Sequence, residues 1–161
     1  ARVRAAAQAR VDARDRAARK SAQHSSSPSP VSHAPVPSRG GVSAVIAFAE
    51  AQIGRPYEWG AAGPGTWDCS GLTMMAWARA GVYLGHFTDS QQAQTTPVAL
   101  SELRPGDLVF YHNPGDGPEN GNPYYHHVAL YVGGGEMIEA PRQGEPVRRT
   151  SLRLGDAYGR P

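Results

Sequence analysis

The single cysteine, Cys69, stands in Trp67-Asp68-Cys69-Ser70-Gly71-Leu72, just ahead of a run with helical spacing. A cysteine in the first turn of a helix meets unsatisfied N–H groups and the positive end of the helix dipole, and both favour a thiolate. The competing reading is a small buried hydrophobe, the commoner fate of a lone cysteine. Polar residues on both sides of Cys69 predict exposure instead. A thiolate nucleophile needs a base within hydrogen-bond reach, and the base needs a group to orient it. His126 and His127 open the apolar run Val128-Ala129-Leu130-Tyr131-Val132. Alternation along a strand puts His126 on a face with Val128, Leu130 and Val132, and His127 on the opposite face with Ala129 and Tyr131. Parity separates the two histidines without saying which face meets the cysteine. Glu139 is a candidate orienter. If Gly133-Gly134-Gly135 all lie in the turn, Val132 pairs with Glu136 and Ala129 with Glu139, which puts Glu139 on the His127 face. A two-residue turn would move Glu139 to the other face.

The elements that must position these residues follow from the pattern. Ser43 is placed to cap a helix running to about Gln52, with Val45, Ile46, Ala49 and Ile53 as its apolar face. Gly54-Arg55-Pro56 stops it, and a Gly/Pro/aromatic loop, 57–68, leads to a second helix over about Cys69–Ala80. Leu72, Met75 and Ala76 make its buried face, and Gly81 ends it. A short polar helix is placed around 89–93. After Pro105-Gly106 the period changes to that of strands: 107–111, then a turn-rich loop over 113–123, then 126–132, 136–140 and a fourth near 147–149. Helices followed by an antiparallel meander predict an α+β domain.

Composition bounds the rest. The chain has 161 residues, enough for one domain and a tail. Residues 1–40 carry eight Lys/Arg against two Asp, a net of +6, whereas residues 41–161 carry eight Arg against twelve Asp/Glu, a net of −4. The basic charge thus belongs to the tail, which argues against a nucleic-acid-binding globule. No apolar run reaches the ~18 residues of a membrane span, and one cysteine excludes an internal disulfide. Residues 1–23, rich in Ala and Arg with a thin stripe at Val3, Ala7 and Val11, predict a solvated helix, with the end of a coiled coil as the alternative. Residues 24–41 read as a Ser/Pro/Gly linker, in which His24 and His33 are too isolated for a metal site. The folded domain is expected over 42–161. The chain opens with Ala and no charged-then-apolar leader, which reads as a mature form or a fragment.

Four blocks occur in order: Tyr57-Glu58-Trp59-Gly60, Asp68-Cys69-Ser70-Gly71-Leu72, Leu103-Arg104-Pro105-Gly106-Asp107-Leu108-Val109-Phe110 and His127-Val128-Ala129-Leu130-Tyr131-Val132-Gly133. Together they resemble the NlpC-type family of papain-like cysteine peptidases, which cut bacterial cell-wall peptides. The resemblance runs from about Val42 to the C-terminus and leaves the tail outside. It implies that Cys69 is the nucleophile, that His127 rather than His126 is the base, and that Glu139 is the third polar residue, where many members carry histidine. It further implies that Tyr57, Asp68 and Ser70 line the substrate cleft. Two departures are visible: Gly60 is followed by Ala61, where a second glycine is common, and the 113–123 loop is longer than usual.

The implied activity is a cofactor-free peptidoglycan hydrolase, secreted and acting in the cell wall. Its expected substrate bond joins the side-chain carboxyl of D-glutamate to the diamino acid of the stem peptide. Three rivals stand beside it. A CHAP-type wall amidase shares the chemistry but cuts another bond. A catalytically silent wall-binding module would not need all three candidate residues. A metallohydrolase would use His112, His126, His127 and Glu139, without the His-Glu-x-x-His spacing that usually marks one. His86 and His112 read most simply as surface or satisfied core histidines. The tail reads as a tether to N-terminal coiled-coil or wall-binding domains, in preference to a latch over the cleft.

Overall fold

The computed structural model describes residues 40–161; the expected tail helix and most of the linker, with His24 and His33, lie outside the described residues. The described chain runs α1 (Gly41–Glu50), α2 (Cys69–Ala78), α3 (Thr88–Ala93), β1 (Thr96–Pro97), β2 (Leu108–Tyr111), β3 (His127–Gly133), β4 (Glu136–Glu139), β5 (Arg148–Ser151) and β6 (Ala157–Arg160). The six strands form one sheet in the order β1-β6-β2-β3-β4-β5, and every pairing is antiparallel. The expected meander is therefore the stretch from β2 to β5 of a larger sheet, and the architecture is α+β.

Three local expectations change. Ser43 does not cap α1: Gly40 is the N-cap, at φ 126°, and no side chain caps the helix. A Cβ on Gly40 would run into the Ala44 side chain, so the glycine admits a tight entry that starts the helix three residues early. Ile53 falls beyond the end of α1 and is exposed, while Val45 and Ala49 are fully buried. β1 and β6 were not foreseen. β1 is only two residues long, and β6 reads as Ala-Tyr-Gly-Arg, with no alternation to mark it. What holds β6 is a tertiary contact. Arg160 donates from Nε and one Nη to the two oxygens of buried Asp107, at 2.8 and 2.7 Å, beside the start of β2.

The core lies between the two longer helices and one face of the sheet. Val45, Ala49, Leu72, Ala76 and Trp77 from the helices pack with Leu108, Phe110, Val128, Leu130 and Ile138 from β2, β3 and β4. The indole of Trp77 donates to the Gly106 carbonyl at 3.1 Å, which pins the end of α2 to the turn before β2. Past Ala78 the helix closes in a Gly81 turn at φ 79°, with Val82 N–H reaching back to the Trp77 carbonyl, as a glycine stop requires.

The hairpin that carries the candidate base and orienter resolves its register in an unexpected way. Gly134 and Gly135 form a two-residue turn with φ 62° and 73°, and Gly133 pairs with Glu136. Alone, that turn would place Glu139 on the wrong face. The register shifts between Tyr131 and Gly133, so that Val132 is an extra residue, and the ladder resumes as Tyr131 opposite Met137 and Leu130 opposite Ile138. The expected pairing thus fails at the turn and holds along the strands.

Candidate active site

Asp68 closes the N-terminus of α2. Its Oδ1 accepts from Gly71 N–H at 2.6 Å, its Oδ2 accepts from Gly60 N–H at 2.9 Å, and its own N–H donates to the Ala61 carbonyl at 2.9 Å. A carboxylate in this position is a strong N-cap worth about 1 kcal/mol. Gly71 is dictated by the same packing, since a Cβ there would collide with the Ala61 carbonyl oxygen. The loop after Tyr57 and the first turn of α2 are in this way clamped to one another.

Cys69 is the first residue of α2 and is only 7% exposed, so the expectation of exposure from its polar neighbours is not met. The neighbours are themselves buried: Asp68 is taken up by the cap, and Ser70 donates to the His86 carbonyl at 3.2 Å. Polar character here satisfies the helix start and does not mark solvent.

His127 opens β3 and stands between Cys69 and Glu139. Its Nε2 lies 2.6 Å from Glu139 Oε2, and Cys69 is near enough to the ring to act on its protonation. Burial opposes the charged imidazolium. The hydrogen bonds and charges of Cys69 and Glu139 outweigh it and raise the His127 pKa to about 9. The Tyr111 ring flanks the imidazole with centroids 5.6 Å apart.

Glu139 ends β4 and is 1% exposed. Burial would raise its pKa, but hydrogen bonds from Arg153, His127 and Arg148 hold the carboxyl well below the usual carboxylate range. Arg148 lies opposite Glu139 in the β4–β5 register, donating from Nε to Oε1 at 3.0 Å. Arg153 spans both oxygens, with 2.9 Å to Oε1 and 2.7 Å to Oε2.

The other expected residues are placed as follows. Tyr57 is buried beside the cysteine; burial first, then the charges of Cys69 and Asp68, lift its phenol above the ordinary range and keep it a hydrogen-bond donor. His126 precedes β3 and lies 3.3 Å from Asp116 of the 113–123 loop, away from the Cys69–His127–Glu139 row. His112 Nδ1 lies 2.9 Å from the Tyr124 carbonyl, and the ring stacks on Tyr125. His86 is more than a surface residue: its Nε2 lies 2.9 Å from Asp68 Oδ1, and that bond raises its pKa against the effect of burial. Among the described residues no group of three or more His, Cys, Asp or Glu gathers as a metal site.

The two arginines on Glu139 are the residues of this site that the sequence reading missed. Arg148 was within reach of it, because extending the meander by one strand places it opposite Glu139. Arg153 lies beyond β5, and no periodicity points to it.

Comparison with known proteins gives the family. The model of the NlpC/P60 family matches residues 54–157, which include every residue of the row. The chain belongs to the NlpC/P60 family. Over 102 residues it is 42% identical to probable endopeptidase p60 of Listeria grayi, covering 63% of this chain and 18% of that protein. A probable endopeptidase of Corynebacterium glutamicum is 38% identical over 109 residues, covering 68% of this chain and 47% of its own. The chain thus spans less than half the length of these curated relatives. Its fold is similar to the crystal structure of the NlpC/p60 domain of peptidoglycan hydrolase SagA, with a TM-score of 0.63 and 34% identity over 74% of this chain and 97% of that one. It is also similar to the peptidoglycan hydrolase RipB of Mycobacterium tuberculosis, with a TM-score of 0.61 and 32% identity over 74% of this chain and 63% of that one.

Proposed function

We propose that this NlpC/P60 domain is a cysteine endopeptidase of peptidoglycan, acting outside the cytoplasm on the bond between the D-glutamate side-chain carboxyl and the diamino acid of the stem peptide. The observation that carries the reading is the row itself: Cys69 at the start of α2, His127 near enough for the cysteine to act on its protonation, and Glu139 at 2.6 Å from Nε2 of the ring. The names of the relatives, probable endopeptidases and peptidoglycan hydrolases, support the substrate class.

The chemistry follows from the geometry. The Cys69 thiolate attacks the scissile carbonyl carbon, and the charge that develops on oxygen is met by the Cys69 backbone N–H, which opens the helix and has no intrahelical acceptor. His127, an imidazolium at neutral pH, gives its Nδ1 proton to the leaving amine as the C–N bond breaks. The acyl group is left as a thioester on Cys69. Neutral His127 then takes a proton from water, which attacks the thioester, releasing the carboxylic acid and the cysteine. Glu139 accepts the Nε2 hydrogen throughout and stabilises the imidazolium. Tyr57, Asp68 and Ser70 form the wall beside the nucleophile.

Mass spectrometry of muropeptides digested by the protein and by Cys69→Ala tests this. New fragments ending in D-glutamate, absent with the variant, are expected. Release of whole stems from the sugar would instead indicate an amidase, and no digestion by either protein would indicate a silent binding module.

A further inference from the structure

Glu139 is nearly solvent-free and is held by more than the histidine it serves. Both of its oxygens are engaged by Arg153, in the forked geometry that a guanidinium offers a carboxylate. Arg153 is itself tied to the opposite flank of the imidazole. Its guanidinium lies over the Tyr111 ring at 5.1 Å, its carbonyl accepts the Tyr111 hydroxyl at 3.0 Å, and that ring flanks His127. Arg148 adds a second cation on Oε1 and is in turn held by Glu145 at 2.8 Å. The groups facing Glu139 are therefore His127 from β3, Arg148 from β5, Arg153 from the segment after β5, and Tyr111 from β2. Tyr111 stays protonated, its phenol raised chiefly by burial.

We infer that Arg153 is a positioning residue for the proposed hydrolysis, fixing the Glu139 carboxylate, ionised and in one orientation, against Nε2 of His127. The reasoning is electrostatic and geometric. A carboxylate removed from water takes up a proton unless cations and hydrogen bonds compensate it. Protonated, Glu139 could no longer offset the imidazolium. Free to rotate, it would release the ring that must aim Nδ1 at the cysteine. Arg153 meets both needs with one planar group. A lysine would supply the charge without the fork. The side chain of Arg153 is 47% exposed, so shortening it opens no interior cavity.

The inference rests on the Cys-His-Glu reading, and the test separates the two. Turnover of a small soluble stem peptide is followed against pH for wild type, Arg153→Met, Arg153→Lys, Glu139→Gln and the Arg153→Met/Glu139→Gln double variant, with thermal melting as the check on folding. Arg153→Met is expected to lower kcat by roughly tenfold, the scale on which residues that hold a catalytic group act, with KM unchanged. The acid limb of its profile should move up, because one of the two arginines that keep Glu139 ionised is gone. Arg153→Lys should recover part of both effects, and the double variant should be little worse than Glu139→Gln. An unmoved acid limb in a folded Arg153→Met, or a full additional loss in the Glu139→Gln background, overturns the role of Arg153 while leaving the triad intact. Wild-type turnover by Glu139→Gln overturns the triad reading, and the inference with it.

Discussion

At the scale of single residues, the pair formed by Cys69 and His127 sets the expected pH behaviour. The His127 pKa is raised to about 9, so the imidazolium persists through neutral pH, and the proton proposed to serve the leaving amine is lost as pH rises through that value. Turnover should therefore decline on an alkaline limb near pH 9, and NMR titration of the His127 ring should show the same midpoint. The linkage has a stability side: the contribution is complete below the unfolded value of ~6.5 and disappears as pH rises through the folded one. The two adjacent histidines should differ sharply. His127→Ala should abolish turnover and slow alkylation of Cys69 by iodoacetamide at pH 7, since the charge beside the sulfur is removed. His126→Ala, which loses contacts to Asp116 and Asn122 of the 113–123 loop, should keep most of its activity; an equal loss in folded protein would contradict this assignment. Glu139→Gln should retain a part of the rate, because an amide oxygen still accepts the imidazole N–H but does not carry the compensating charge.

At the scale of elements, the site depends on how closely α2 approaches the loop before it. Gly71 sits where the Asp68 cap, the Ala61 carbonyl and His86 converge, and a side chain has no room there. Gly71→Ala should cost about 1–3 kcal/mol of stability, as overpacking does, and should reduce turnover beyond the unfolded fraction by displacing the start of α2. Denaturant unfolding together with activity at a temperature where the variant is folded checks both. The β3–β4 hairpin makes a related point. Its glycine-rich turn was legible as a turn, but the face of Glu139 depended on a compensating bulge at Val132 that no local pattern announces. The strands β2 to β4 were legible because each carries an apolar run. β6 was not, because its place between β1 and β2 rests on the Arg160–Asp107 pair and on backbone pairing.

At the scale of the whole molecule, the charge division between residues 1–40, at +6, and residues 41–161, at −4, gives the tail an electrostatic reason to approach the domain. A blocking segment would also need an apolar anchor to seat in a cleft, and the linker offers nothing larger than valine, at Val31 and Val36. We therefore expect residues 1–161 and 40–161 to turn over a small soluble stem peptide equally at low salt. Starting the shorter chain at Gly40 keeps the residue whose carbonyl accepts the Ala44 N–H. A marked rise on truncation that fades as salt screens the charges would identify the tail as a latch.

What the sequence by itself determined is the family and the order of its parts. Cys69 before a helix, His127 opening an apolar strand and Glu139 a hairpin away are local features of residue type and period, and the four ordered blocks carry the family. What only the tertiary structure decided is the environment of those groups. That Cys69 is buried despite polar neighbours follows from Asp68 and Ser70 spending their polar atoms on the loop and on His86. That Glu139 is a buried, ionised carboxylate follows from two arginines reaching it from β5 and from beyond β5. Burial and charge compensation are sums over neighbours distant in the chain, and a one-dimensional pattern records only neighbours along it.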